Sequence, residues 1–226
     1  MKISASDVKK IAAELGANLC GVAPIERFDS APRGYHPCDV LPECQSVIVI
    51  AKYFLKSSLY ANSTIPYTTV RNSISDKLNS MAIELSQALE SRGVIAVPAN
   101  TIGPDEWDSD TQRIRGIISL KHAAANAGLG KIGKNTLLVN KDYGNMIWLN
   151  AVLVSEKLEP DPLADYEVCN PNCNLCIKSC PVEALDGISI NQPECRDYAF
   201  GEHNGGDWRI KCFTCRKVCP NCTGIS

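Results

Sequence analysis

The chain has 226 residues, enough for one globular unit with a small appendage or for two small domains. Apolar residues make up 45% and charged residues 21%, which argues against disordered and fibrous classes, and a net charge of −2 offers no polyelectrolyte case for nucleic acid or an anionic membrane. No stretch approaches the ~18 apolar residues of a membrane helix, and the charged start MKISASDVKKIAAEL does not read as a signal peptide.

In chain order, Ser6 is placed to cap a helix whose apolar residues Val8, Ile11, Ala12 and Leu15 share one face, with Gly16 as its stop. Leu19–Ala23 reads as a short strand. The proline-rich stretch Phe28–Pro42 reads as loop, and Ser46–Phe54 (SVIVIAKYF) as a central strand. Ile74, Leu78, Met81, Leu85 and Leu89 mark a long amphipathic helix ending at Gly93. A strand at Val94–Val97, a polar loop over Pro98–Asp110 and a helix over Ile117–Ala127, ended by Gly128, follow. Two further strands, Leu137–Asn140 and Met146–Val154, flank a Tyr143-Gly144-Asn145 turn. The elements do not alternate as in a doubly wound fold, so an α+β layer fold with a mixed sheet is expected over residues 1–165. Glu159–Asp165 reads as a proline-bearing linker to a second unit, residues 166–226.

Cysteine is the outlier. Nine of the 12 cysteines lie between Cys169 and Cys222. Without an export signal the expected compartment is the cytoplasm, where clustered cysteines bind metal more often than they form disulfides. The tail holds Cys169-x3-Cys173-x2-Cys176-x3-Cys180-Pro181 and Cys212-x2-Cys215-x3-Cys219-Pro220. These resemble the bacterial ferredoxin run C-x2-C-x2-C-x3-C-P, whose fourth cysteine ligates the other cluster when two are present. On that logic Cys169, Cys173, Cys176 and Cys219 hold one [4Fe–4S] cluster. Cys212, Cys215 and Cys180 begin a second. Standard spacing puts its last ligand at Arg209, which has no lone pair for iron. Cys195 is the best replacement and Cys222 the runner-up. Paired structural zinc is the competing reading, but zinc does not explain a proline after the last cysteine of both runs. Cys20, Cys38 and Cys44 read as inert thiols.

Gly128-Leu129-Gly130-Lys131-Ile132-Gly133 matches G-x-G-x-x-G, yet it follows a helix and precedes a strand, the reverse of a dinucleotide site. As a phosphate loop it lacks the hydroxyl, because Asn135 stands in its place. What survives is a close backbone approach to some ligand, with Lys131 and Lys134 nearby, or else a glycine-rich helix exit packed on the sheet. His36, His122 and His203 show no nucleophile–base spacing, and His122 reads as a partly exposed structural residue. The run Asp105, Glu106, Asp108, Asp110 around Trp107 reads as a solvated acidic loop.

The segment HAAANAGLGKIGKNTLLVN (His122–Asn140), LEPDP (Leu158–Pro162), the two cysteine runs and LPECQSVIVIAKYF (Leu41–Phe54) together resemble the epoxyqueuosine reductase family, which is similar in turn to the reductive dehalogenases. The resemblance implies a nitroreductase-like α+β domain followed by a ferredoxin-like domain with two [4Fe–4S] clusters. It implies a cobalamin in the first domain, near the positions matching Gly130, Ile132, Gly133, Lys134 and Asn135, with FMN as the alternative because the fold also hosts flavin. It implies a second-cluster ligand from a separate segment, matching Cys195 in PECRDY. No aspartate in Val97–Asp110 matches the family's catalytic one, and the Tyr/Arg-rich motif of the family is not recognisable in Tyr67–Asp76. The C-terminal helical repeats used for tRNA are not in this sequence, so the chain reads as a short form for which nucleic acid is not an expected partner. The expectation is an iron–sulfur oxidoreductase that takes low-potential electrons from a redox partner protein and reduces a small molecule. The alternative is a non-catalytic electron carrier or cluster-bearing partner subunit.

Overall fold

A computed structural model describes residues 3–109, 113–202 and 206–225. The elements run α1 (Ala5–Glu14), β1 (Leu19–Pro24), β2 (Ser46–Tyr53), α2 (Ile65–Glu90), β3 (Ala96–Pro98), β4 (Glu106–Asp108), β5 (Arg113–Arg115), α3 (Leu120–Asn126), β6 (Lys131–Ile132), β7 (Leu138–Val139) and β8 (Ile147–Val154). The cysteine-rich part adds α4 (Leu175–Lys178), α5 (Gln192–Ala199), β9 (Phe200–Glu202), β10 (Trp208–Ile210) and α6 (Thr214–Lys217). Among the described residues no helix is long and apolar enough to cross a membrane.

The main sheet has the order β1-β2-β8-β3, and every neighbouring pair is antiparallel. The architecture is α+β, but the expected mixed sheet is an antiparallel one. The reason is topological. β2 and β3, joined through α2, point the same way, and β8 inserts between them antiparallel to both.

Side chains alternate across the sheet with period two. Val47, Val49, Ala51, Ala151 and Leu153 face α3 in one buried layer. Ile48, Ile50, Val152 and Val154 face α1 and α2 in the other, against Val8, Leu78, Met81, Leu85 and Leu89. Burial on both faces is why β2 reads as an unbroken apolar run. Gly16, Gly93 and Gly128, the three residues that stop the helices, have φ of +95°, +81° and +74°, a conformation glycine adopts without penalty.

Several local expectations shift. The cap of α1 is Ser4, not Ser6. Ser4 Oγ accepts from the Asp7 N–H at 3.1 Å, and Asp7 Oδ2 accepts from the Ser4 N–H at 3.0 Å. Three residues beyond Ser6 stands Lys9, which cannot return that bond. α3 begins at Leu120 because Ser119 is still extended, with ψ of 100°. The strand expected at Val94–Val97 starts at Ala96. The acidic stretch forms a hairpin, β4 with β5, pinned by an Arg115–Glu106 ion pair of 2.7 Å. Asp110 and His203 lie outside the described residues. β7 pairs with β6 rather than with the strand that follows it.

The proline-bearing segment Glu159–Asp165 is irregular but bolted down. Asp161 takes the Lys9 ammonium at 2.5 Å and the Val22 N–H at 2.8 Å, while its carbonyl accepts from Arg27 Nη1 at 2.8 Å. A third apolar cluster joins the layers to the cysteine-rich part: Phe54, Tyr67 and Met146 pack with Ile210, Phe213 and Cys222. Within it the rings of Tyr67 and Phe213 stack 4.1 Å apart at 14°.

Candidate iron–sulfur site and the adjoining cavity

The two cysteine runs fold alike. Asn174 precedes α4 with φ −138° and ψ 22°, and Phe213 precedes α6 with φ −142° and ψ 27°. Each one-turn helix carries the middle cysteine, Cys176 or Cys215, and closes on an αR residue before the Cys-Pro pair, Cys180-Pro181 or Cys219-Pro220. A turning backbone with x2 spacing aims two thiols inward, and the cysteine before proline is carried past the turn. The two short helices pack on each other.

Electrostatic neighbours sort the thiols. Burial raises the Cys176 thiol pKa, and Cys169 and Cys173 add to it. Burial pushes Cys219 up to about 11; the Asn221 N–H opposes this, and Cys169, Cys176 and Cys222 reinforce it. Burial raises Cys195, with Cys180 and Cys212 as the added charges. Burial pushes Cys215 up to about 11, opposed by Arg216 and reinforced by Cys195, Cys212 and then Cys176. Cys176 thus lies near Cys169, Cys173 and Cys219, and Cys195 near Cys180, Cys212 and Cys215, while Cys176 also neighbours Cys215 and Cys222 neighbours Cys219. Among the described residues no three His, Cys, Asp or Glu side chains close in to the shell of a single ion, so this convergence is at longer range. Cys195 reaches its group from α5, and Arg209 occupies β10, opposite Gly201. Cys222 sits in the apolar joint beside Phe54 and Met146. Its carbonyl accepts from the Met146 N–H at 3.2 Å. Cys20, Cys38 and Cys44 stand apart in the first layers; burial pushes Cys20 up to about 12 and Cys44 up to about 11.

The glycine segment is drawn against this module. A Cβ at Gly130 would lie 2.4 Å from the Val139 carbonyl oxygen. One at Gly133 would meet Asn135 Oδ1 at 3.0 Å and Cys169 Sγ at 3.6 Å. Lys134 Nζ donates to the carbonyls of Pro171 and Cys173 at 2.6 and 2.9 Å. Asn135 Nδ2 donates to the Cys215 carbonyl at 3.3 Å. Ile132 is partly buried on the core. In this structure Lys134 Nζ and Asn135 Nδ2 are spent on the cysteine runs, and Asn135 Oδ1 accepts from the Leu137 N–H at 3.2 Å.

A cavity of about 170 Å³ opens between α3, β7, β8 and α6. Arg216 and Asn145 line it together with Lys121, Thr101 and Trp148. None of these was singled out from the sequence. Arg216 had a weak signal, its place directly after Cys215; the others had none, because three distant segments meet only in the fold. A flavin or corrinoid needs at least the roughly 300–1,000 Å³ of ordinary ligand pockets. The cavity in this conformation fits neither. The eight grouped thiols, by contrast, are the soft donor set that iron–sulfur clusters take.

The fold and this site define an α+β protein with a cysteine-rich second part. No family model matches the chain. An epoxyqueuosine reductase of Staphylococcus aureus is 33% identical over 122 residues, covering 49% of this chain and 31% of the relative. One of Leadbetterella byssophila is 25% identical over 97% of this chain and 80% of the relative. A solved epoxyqueuosine reductase from Bacillus subtilis superposes with a TM-score of 0.69 at 20% identity, over 97% of this chain and 65% of that one. A catabolic reductive dehalogenase superposes with a TM-score of 0.68 at 16% identity, over 95% of this chain and 31% of that one. The chain is similar in sequence to the epoxyqueuosine reductases and shares its fold with them and with the reductive dehalogenases. It spans about a third of the first of those curated relatives and about two thirds of the solved reductase.

Proposed function

We propose that the chain is an iron–sulfur oxidoreductase of the epoxyqueuosine reductase type that passes single electrons through two [4Fe–4S] clusters to an acceptor held beside α6. Cys169, Cys173, Cys176 and Cys219 hold the first cluster; Cys180, Cys195, Cys212 and Cys215 hold the second. The observation that carries this reading is the repeated backbone of the two runs, with Cys219 beside Cys169 and Cys176 of the first run and Cys195 beside both Cys180 and Cys212. A cubane supplies one electron at a time, and backbone N–H groups near its ligands raise its potential. The Lys134 N–H lies 3.5 Å from Cys169 Sγ and the Ala184 N–H 3.3 Å from Cys180 Sγ, one such donor for each group. A redox partner protein is the proposed electron donor and a small molecule the proposed substrate. Likeness to the relatives favours a corrinoid over FMN as the organic cofactor, and either requires the cavity to widen.

A second reading is a cluster-bearing electron carrier with no organic cofactor. Two observations favour it: the cavity is small, and no carboxylate stands on its wall. The spectrum of anaerobically purified protein separates the two. Corrinoid or flavin bands above the broad cluster absorbance support the reductase. Clusters alone, unchanged after each cofactor is added, support the carrier. Stoichiometric zinc without acid-labile sulfide overturns both.

A further inference from the structure

The two cysteine runs share a backbone but not a charge. Arg216 follows Cys215 on α6 and is 7% exposed. Its guanidinium lies 5.3 Å from the Trp148 ring centroid and bonds the Tyr67 hydroxyl, which fixes where the charge sits. None of the ion pairs among the described residues includes it. Besides Tyr67, the groups it acts on are thiols. Burial pushes Cys215 up to about 11, with Arg216 as the leading charge against that rise, and burial raises Cys222 with Arg216 again opposing.

The first run has no matching buried cation. At the equivalent place, directly after Cys176 on α4, stands the apolar Ile177. The charges acting on Cys176 and Cys219 are those of other thiols. Lys134 reaches this run, but its Nζ is bound to the carbonyls of Pro171 and Cys173 from a partly exposed position, where water and salt screen it. The N–H donors to sulfur are balanced, one on Cys169 at 3.5 Å and one on Cys180 at 3.3 Å, so they do not set the two groups apart. A buried charge without a partner is costly, and in a site of low dielectric it acts strongly on any charge beside it. A cubane grows more negative when it takes an electron, and the charge around it helps set its potential.

We infer that Arg216 is the counter-charge of the second cluster and makes that cluster the electron sink of the pair. Its cation stabilises the reduced form of the cluster held by Cys180, Cys195, Cys212 and Cys215. One electron donated to either cluster therefore settles on the second, with no bond or proton changed. Arg216 acts through space, and nothing in the cavity needs to touch it. The pull is toward α6, beside which the acceptor is placed. The inference rests on the two-cluster reading, because it needs two clusters to rank.

The test is a potentiometric titration of the anaerobic holoprotein with titanium(III) citrate, followed by electron paramagnetic resonance. Two separate one-electron steps are expected. Cys195→Ser is expected to retain only the step of lower potential. Arg216→Gln is expected to shift the upper step down, so that the ratio of reduced to oxidised cluster at a fixed potential falls at least about tenfold, which is about 59 mV for a one-electron couple, while the lower step moves less. Arg216→Lys keeps the charge and is expected to recover most of that fall, which a merely structural side chain would not do. Coincident steps in the wild type, an upper step unmoved in Arg216→Gln, an equal fall in Arg216→Lys, or an upper step retained in Cys195→Ser overturns the inference. Where Arg216→Gln loses its second cluster, the wild type and Cys195→Ser decide. Iron and sulfide are assayed in the same samples. Full contents with an unmoved upper step overturn this inference and leave the two-cluster reading standing; zinc without sulfide overturns that reading itself.

Discussion

The backbone N–H of Lys134 points at Sγ of Cys169 across 3.5 Å, so the glycine segment of the first layers touches the first thiol of the cysteine-rich part. The segment whose sequence suggested a cofactor cradle is, in the fold, a wall against the cysteine runs. Gly133 lies on that wall, with Asn135 Oδ1 3.0 Å and Val139 Cγ2 3.1 Å from where its Cβ would stand.

Gly133→Val is therefore expected to lose the first cluster. Overpacking at such a position costs about 1–3 kcal/mol, and the nearest neighbours are the Asn135 and Val139 side chains and then Cys169 itself. Gly133→Ala asks only a few tenths of an ångström of its neighbours and is expected to keep both. Iron per chain after anaerobic reconstitution checks this: about eight for alanine and about four for valine. Full iron in the valine variant would detach the segment from the cluster.

Cys195 and Cys222 compete for the last ligand position. Cys195 lies on α5 among Cys180, Cys212 and Cys215, whereas Cys222 is packed in the apolar joint. Cys195→Ser is expected to lower the iron count to about four, and Cys222→Ala to leave about eight. The opposite pattern would reverse the assignment.

Tyr67 carries the joint between the layers and the second cysteine run. It is 2% exposed and stacks on Phe213, the residue between Cys212 and the start of α6. Removing a fully buried ring of this size costs about 3–5 kcal/mol, and the partly buried Phe213 ring costs less. Phe213→Ala should lower the anaerobic denaturation midpoint and speed loss of the second cluster ahead of the first. Tyr67→Phe, which keeps the stack and drops only the hydroxyl toward Arg216, should come close to wild type in both measurements.

His122 gives a pH signature. Partial burial, with the Lys121 charge behind it, holds its pKa below the ordinary 6.5, and its Nδ1 lies 2.7 Å from Ser119 Oγ. Between the folded pKa and 6.5 the unfolded chain binds the extra proton, so this contribution is present above 6.5 and is lost as pH falls through that window. The residue is exposed at the surface, so the effect is small. Anaerobic melting of wild type and His122→Asn from pH 7.5 to pH 5.5 should show a shallower decline in the variant. Parallel curves would rule the residue out.

The sequence by itself determined whatever depends on local spacing. The apolar run of β2, the 3.6-residue rhythm of α2 and the three glycine stops come from neighbours along the chain, and so does the similar turn of the two cysteine runs. The Arg209 argument for an outside ligand needed only counting. What the tertiary structure decided is whatever depends on segments far apart. The antiparallel sheet required β8, more than ninety residues after β2, to slide between β2 and β3. The cap of α1 turned on whether Asp7 or Lys9 stands three residues past the serine, a local cue open to a closer reading. Glu159–Asp165 has the composition of a free linker, yet Asp161 finds Lys9, Val22 and Arg27 only once α1 and β1 are in place. The cavity that joins Lys121, Asn145 and Arg216 has no signature in any one stretch, because its unpaired groups come together only when the cysteine runs dock on the sheet.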